Sequence, residues 1–126
     1  MDVKVGTVAE LQNALDAGKN PLLKSGVYDL REVADGGVIT LVAPVSLMGF
    51  GNVEIIGGFK LGEGVTSFEA RGIRFNGVEK AIGNAFEIAE PTQVSLLKIE
   101  ECEIVGYNKS LFYGNGEGSA EPSPLP

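Results

Sequence analysis

The chain has 126 residues, ten Lys and Arg against seventeen Asp and Glu, and a formal net charge of −7. This acidic balance argues against nucleic acid as a partner, because such binding depends on neutralising phosphates with Lys and Arg. With no histidine and a single cysteine, Cys102, one chain cannot assemble a zinc site, a Ser-His-Asp triad or a Cys-His pair.

The first elements in chain order are a short strand and a helix. Residues 3–5 alternate as a strand does. Thr7 and Glu10 have the spacing of a capping box, and Gly18 is well placed to end a helix. We therefore predict a helix over about residues 8–17. One apolar stripe along it consists of Val8, Leu11, Ala14 and Leu15.

From Pro21 onward, pairs of alternating apolar residues replace the helical period. Residues 68–75 can be laid over residues 97–104 with a constant offset of 29, apolar on apolar and charge on opposite charge. Extended in both directions, this repeat predicts units of three short strands whose first strands begin at residues 39, 59, 86 and 111. A period in this range is typical of stacked structural units.

The repeat predicts an all-β chain that forms a short, right-handed, single-stranded parallel β-helix. We expect about three to four rungs, a rung being one complete turn of the coil, and a capping helix over the apolar start. The predicted regions are an N-terminal strand and helix (1–20), the coil (21–114) and an extended tail rich in Pro and Gly (115–126). An antiparallel sandwich is the alternative, but no Asn-Gly or Asp-Gly turn joins two adjacent strands of similar length.

Several segments carry a family resemblance: Val-Tyr-Asp-Leu, Phe-Gly-Asn-Val-Glu-Ile, Phe-Glu-Ala-Arg-Gly-Ile-Arg-Phe-Asn-Gly and Ile-Glu-Glu-Cys-Glu-Ile-Val-Gly-Tyr. Over roughly residues 20–114 the chain resembles pectate-lyase-like right-handed β-helices, in particular the uncharacterised β-helix domain of secreted Bacteroidetes proteins. The resemblance implies a polysaccharide partner. It also implies a secreted, periplasmic or cell-surface location.

Glu100, Glu101 and Glu103 form the only dense acidic group, and they could ligate Ca²⁺ weakly. Arg71 or Arg74 could then serve as the base of a lyase. The repeat, however, stacks Glu100 above Arg71 and Glu103 above Arg74. A ladder of opposite charges explains these residues without catalysis or a cofactor. Calcium remains the alternative.

Two aromatic residues at predicted corners could stack on a sugar ring, or could pack against their own neighbours. They are Tyr107, beside Gly106, and Phe50, in the longest corner insertion. Together with Arg71 and Arg74 they are our candidate ligand-binding residues. Cys102 is predicted to be a small inward-facing hydrophobic residue rather than a nucleophile.

These patterns favour a non-catalytic β-helix module of an exported bacterial protein, associated with glycans or the cell surface. One alternative is a fragment or degenerate relative of a polysaccharide lyase. The other is a structural unit that assembles end to end through an uncapped last rung around Leu111, Phe112 and Tyr113. No apolar run approaches the roughly 20 residues of a membrane span. Residues 1–4 do not form a signal peptide, so export implies a signal outside this sequence.

Overall fold

The structure, a computed structural model, describes residues 2–89 and 94–114, with only the backbone of residues 89, 110 and 112–114. Helix α1 spans Val8–Asp16, and no helix in this part of the chain is long and apolar enough to cross a membrane. The strands are β1 (Asp2–Val5), β2 (Asn20–Leu23), β3 (Gly26–Asp29), β4 (Val38–Leu41), β5 (Val45–Gly49), β6 (Val53–Ile56), β7 (Gly58–Leu61), β8 (Ser67–Arg71), β9 (Arg74–Asn76), β10 (Asn84–Ala89), β11 (Leu96–Glu100), β12 (Glu103–Val105) and β13 (Lys109–Gly114).

The strands form three sheets, and every strand pair in the described residues is parallel. The first sheet has the order β1-β2-β5-β8-β11, the second β3-β6-β9-β12 and the third β4-β7-β10-β13. From β2 onward, each strand pairs with the strand three places later, so three strands complete one rung. The fold is therefore all-β, parallel and β-helix-like, and the antiparallel sandwich is excluded.

The 29-residue offset corresponds to one rung. Phe68 pairs with Leu97 and Ala70 with Ile99 in the first sheet, and Phe75 pairs with Ile104 in the second. The predicted starts of the first strands, at residues 39, 59, 86 and 111, fall inside β4, β7, β10 and β13. The spacing of apolar pairs was thus sufficient to locate these strands.

Helix α1 covers the start of the coil and is capped at both ends. The Thr7 hydroxyl accepts the Glu10 N–H at 3.1 Å, while the Glu10 carboxylate accepts the Gly6 N–H at 2.7 Å, one residue before the usual capping-box donor. At the other end Gly18 has a φ of +72° and donates its N–H to the Leu15 carbonyl at 3.0 Å. The buried face of the helix consists of Leu11, Ala14 and Leu15.

Four phenylalanines from the three sheets meet in the middle of the core. Phe59, Phe68, Phe75 and Phe86 are each at most 2% exposed, and their ring centroids lie 5.1–6.4 Å apart. No polar or charged residue in the described part of the chain is buried. Aromatic packing across two rungs therefore dominates the centre of the coil.

The inward side chains of the rung that contains β11 and β12 are more exposed to solvent than those of the preceding rung. Phe68, Ala70, Ile73 and Phe75 are at most 2% exposed. Their counterparts one rung later are only partly buried: Leu97, Ile99, Cys102 and Ile104. Cys102 packs against the core as predicted, its thiol donates to the Glu100 carbonyl at 3.2 Å, and burial raises its pKa.

Candidate functional site

The corner between the first and second sheets contains a strained residue. In successive rungs this corner uses a residue with left-handed backbone: Gly51 (φ +84°), Gly72 (φ +72°) and then Glu101 (φ +54°). For a residue with a Cβ atom this conformation costs roughly 1–2 kcal/mol. Glu101 therefore keeps a carboxylate where the two preceding rungs use glycine.

A groove of about 720 Å³ lies beside this corner, on the outer face of the second sheet. It crosses four rungs, from the segment before β3 to β12. With parallel strands about 4.8 Å apart, the groove is about 14 Å long. Its polar and charged lining comprises Ser25, Asn52, Glu54, Arg74, Glu101 and Glu103.

The floor of the groove is one straight row of side chains in register, Val27, Glu54, Arg74 and Glu103. Arg74 Nη1 donates to Glu103 Oε1 at 3.2 Å, and Arg74 Nε lies 3.9 Å from Glu54 Oε2. The Asn76 amide donates to the same Glu54 oxygen at 2.7 Å. One guanidinium therefore lies between two carboxylates, and the predicted pair of Arg74 with Glu103 is confirmed.

The predicted stacking of Glu100 on Arg71 is confirmed by the strand register, but the direct hydrogen bond of Arg71 goes to Glu101. Arg71 Nε donates to Glu101 Oε1 at 3.2 Å, and this contact raises the pKa of the Arg71 guanidinium. Glu100 Oε2 instead lies 3.7 Å from Lys98 Nζ on the same strand. The register alone could not reveal this exchange, because it depends on the left-handed backbone of Glu101.

The structure separates the three glutamates proposed as calcium ligands. Glu101 and Glu103 line the groove, whereas Glu100 lies beside Arg71 and Lys98 on the outer face of the first sheet. Within residues 2–89 and 94–114, no group of three or more Asp, Glu, Cys or His residues could hold a metal ion. Calcium at Glu100, Glu101 and Glu103 stays a prediction without support from this geometry.

Tyr107 occupies the corner between the second and third sheets, away from the groove. Its hydroxyl donates to the carbonyl of Gly57, two rungs earlier, and its ring lies against Gly77 in the rung between. A Cβ on Gly77 would come within 2.6 Å of the ring. Burial, together with the charge of Glu54, raises the pKa of the Tyr107 phenol. These contacts support packing rather than stacking on a sugar.

Phe50 directly follows β5 and precedes Gly51 at the corner between the first and second sheets, and 52% of its surface is exposed. It borders a small pocket of about 280 Å³ with Leu22, Lys4 and Lys24. The predicted ligand-binding residues are therefore not brought together. Arg74 is in the groove, Arg71 is on the first sheet, Phe50 directly follows β5, and Tyr107 is at another corner.

Sequence reasoning missed Glu54, which lines the groove, and Asn76, which donates a hydrogen bond to Glu54. The signal was present, because Val27, Glu54, Arg74 and Glu103 are successive positions of one row. Their spacings, however, are 27, 20 and 29 residues. Corner insertions of different length conceal such a row unless the strands are aligned first.

The fold and the groove define a β-helix-like module that displays aligned rows of charged and amide side chains on a rigid surface. Comparisons of the chain with models of protein families, with curated proteins and with solved structures gave no match.

Proposed function

We propose that this chain is a non-catalytic, right-handed parallel β-helix module of an exported bacterial protein and that its groove binds a glycan. The right hand is supported by the near-universal handedness of connections between parallel strands of one sheet. The resemblance of its rungs to pectate-lyase-like β-helices supports export and a relationship to carbohydrate-associated proteins. The proposal concerns the groove beside Glu101.

The observation that carries the proposal is the row of polar groups along the groove floor. Arg74 supplies several N–H donors, and the carboxylates of Glu54 and Glu103 accept on either side of it. Side chains held at strand spacing in a rigid sheet need little reordering when a ligand binds. A chain of sugar hydroxyls is a ligand with matching, repeated donors and acceptors.

The charge of the groove selects among glycans. Three glutamates against one arginine give its lining a net charge of −2. Charge complementarity therefore favours a neutral or amino sugar over a polyuronate. The lyase alternative would use Arg71 as its base, but Arg71 is hydrogen-bonded to Glu101 and is not part of the groove lining.

We expect calorimetric titrations to show binding of cello-oligosaccharides or chitosan oligosaccharides and weaker binding of oligogalacturonate. Arg74→Ala should weaken the binding of the neutral cello-oligosaccharides at least tenfold, because it removes the central donor of the groove floor. The matched control is Arg31→Ala. Arg31 is also exposed and paired, with Asp29 at 2.8 Å, but it lies outside the groove lining.

Two results would contradict the glycan proposal. One is binding that Arg74→Ala leaves unchanged, or no binding of any of these sugars at millimolar concentration. The other is an unsaturated, ultraviolet-absorbing product when oligogalacturonate is incubated with the protein and Ca²⁺. That second result would favour the lyase alternative.

A second candidate function, end-to-end assembly, is favoured by the partly exposed side chains of β11 and β12. The expected contact around Leu111, Phe112 and Tyr113 stays a prediction, and Leu111 itself is only 5% exposed where β13 pairs with β10. The side chains of Phe112 and Tyr113 lie outside the described residues. The apolar end available to a second copy is thus formed by Leu97, Ile99, Cys102 and Ile104.

A further inference from the structure

The exposed Phe50 belongs to a compact patch at the N-terminal end of the first sheet, which we call the Phe50 patch (Lys4, Leu22, Lys24 and Phe50). Lys4 and Leu22 are paired neighbours on β1 and β2. The Lys24 N–H donates to the Val5 carbonyl and the Phe50 N–H to the Leu23 carbonyl, each at 3.0 Å. Backbone pairing therefore holds all four side chains together on one outer face.

The walls of this pocket are apolar and its rim is cationic. The ring of Phe50 and the side chain of Leu22 face the aliphatic stems of the two lysines, whose ammonium groups can reach solvent. The ion pairs found in the described residues involve neither Lys4 nor Lys24. Glu10 and Lys24 both lie next to Gly6, but they do not form one of these ion pairs. Other lysines, such as Lys60, are also outside these ion pairs, so Lys4 and Lys24 are distinguished by sharing the rim of one apolar pocket.

We propose that the Phe50 patch binds an acidic peptide segment of a partner protein. One apolar side chain of the segment is seated against Phe50 and Leu22, and flanking carboxylates contact Lys4 and Lys24. The volume of about 280 Å³ is below that of most small-molecule sites and suits a single side chain. The apolar walls disfavour a sugar, whose hydroxyl groups would lose hydrogen bonds there.

This patch is separate from the glycan groove, which lies on the second sheet and shares no lining residue with it. The two proposals can therefore fail independently. An Arg74 variant should leave peptide binding unchanged, and a Phe50 variant should leave glycan binding unchanged.

The test is an NMR titration of the isotope-labelled protein with the capped peptide Glu-Glu-Phe-Glu-Glu. We expect saturable shifts at the amides of Leu22, Lys24 and Phe50, and weaker binding at higher salt. Phe50→Ser should weaken binding of the peptide at least tenfold, whereas Phe50→Leu should retain most of the affinity. The double variant Lys4→Gln, Lys24→Gln should remove most of the salt dependence.

Two control variants remove an exposed apolar side chain or a lysine charge at positions outside the Phe50 patch. Val42→Ser removes an apolar side chain that is 72% exposed at another corner, and Lys60→Gln removes a charge from the third sheet. Both should bind the peptide as the parent protein does. Circular dichroism should show that Phe50→Ser remains folded, because the Phe50 backbone, not its side chain, pairs with Leu23.

Three outcomes would overturn the proposal. The first is the absence of saturable shifts, and the second is equal binding of the peptide with Ala in place of Phe. The third is that oligogalacturonate or phosphatidylglycerol vesicles, but not the peptide, shift the same three amides. That result would assign the patch to a sugar or to a membrane surface instead.

Discussion

At the residue scale, Tyr107 shows how one side chain can connect three rungs. Its hydroxyl reaches the Gly57 carbonyl while its ring lies over Gly77, where no Cβ could be accommodated. A single aromatic ring thus holds the corner between the second and third sheets across two rung spacings. This role depends on contacts made within the chain, so its loss should be visible in stability.

We expect Tyr107→Phe to lower the free energy of unfolding at neutral pH by about 1 kcal/mol, because the Gly57 carbonyl loses its donor. The measurement is equilibrium unfolding in urea. Glycan binding by the groove should not change. A loss of glycan binding without a loss of stability would contradict the packing role and restore Tyr107 as a ligand-binding residue.

The effect of Tyr107→Phe on stability should depend on pH, and the sign of this dependence follows from the raised pKa of Tyr107. In the unfolded chain the phenol ionises near its ordinary value of 10.0. The stabilisation is therefore complete below that pH and is lost as pH rises through the higher folded value. The stability difference between parent and Tyr107→Phe should shrink between about pH 9 and pH 12. A difference that grew with pH would contradict this assignment.

At the scale of elements, the corner between the first and second sheets determines how Glu101 places its carboxylate beside the groove. Gly51 and Gly72 adopt left-handed backbone there without a Cβ, and Glu101 adopts it with one. The exposed ion pair with Arg71 compensates little of that cost. A strained residue that persists beside a groove suggests a functional reason for its side chain.

Replacing Glu101 with Gly should therefore stabilise the fold, by about 1 kcal/mol, because glycine adopts this backbone without steric cost. The neighbouring variant Glu100→Gly is the matched control. It removes the same side chain from the regular strand β11 and should destabilise, by about 0.5–1 kcal/mol. Thermal unfolding of both variants compares the two signs directly. Stabilisation by both variants, or by neither, would rule out backbone strain at Glu101.

Much of this arrangement followed from the sequence, because apolar pairs record the two-residue period of strands wherever one face is buried. The 29-residue echo located β8, β9, β11 and β12, and it paired Arg74 with Glu103. The echo could not show that the Arg71 side chain contacts Glu101. A left-handed backbone conformation at a corner does not change the periodicity of apolar residues in the sequence. Nor could the echo show the Phe50 patch, whose lysines lie on β1 and directly after β2, outside residues 68–75 and 97–104.

At the scale of the whole molecule, the two ends of the coil differ. Helix α1 covers the start of the core with Leu11, Ala14 and Leu15. At the other end, the inward side chains of β11 and β12 stay partly exposed in the described structure. A closed two-fold dimer through this second end is the assembly that such asymmetry favours.

The pattern of charges on β11 also supports a dimer contact at this second end. If two copies of β11 meet antiparallel about Ile99, Lys98 of each copy lies opposite Glu100 of the partner copy.

Ile99→Lys and Ile104→Lys should then weaken self-association at least tenfold, or about 1.4 kcal/mol, since each places a charge in the apolar contact. Sedimentation velocity over a range of protein concentrations measures this shift. Val27→Lys, on an exposed outer face, is the control that should associate as the parent does. Monomers of the parent protein at every concentration, or equal weakening by Val27→Lys, would contradict assembly through this end.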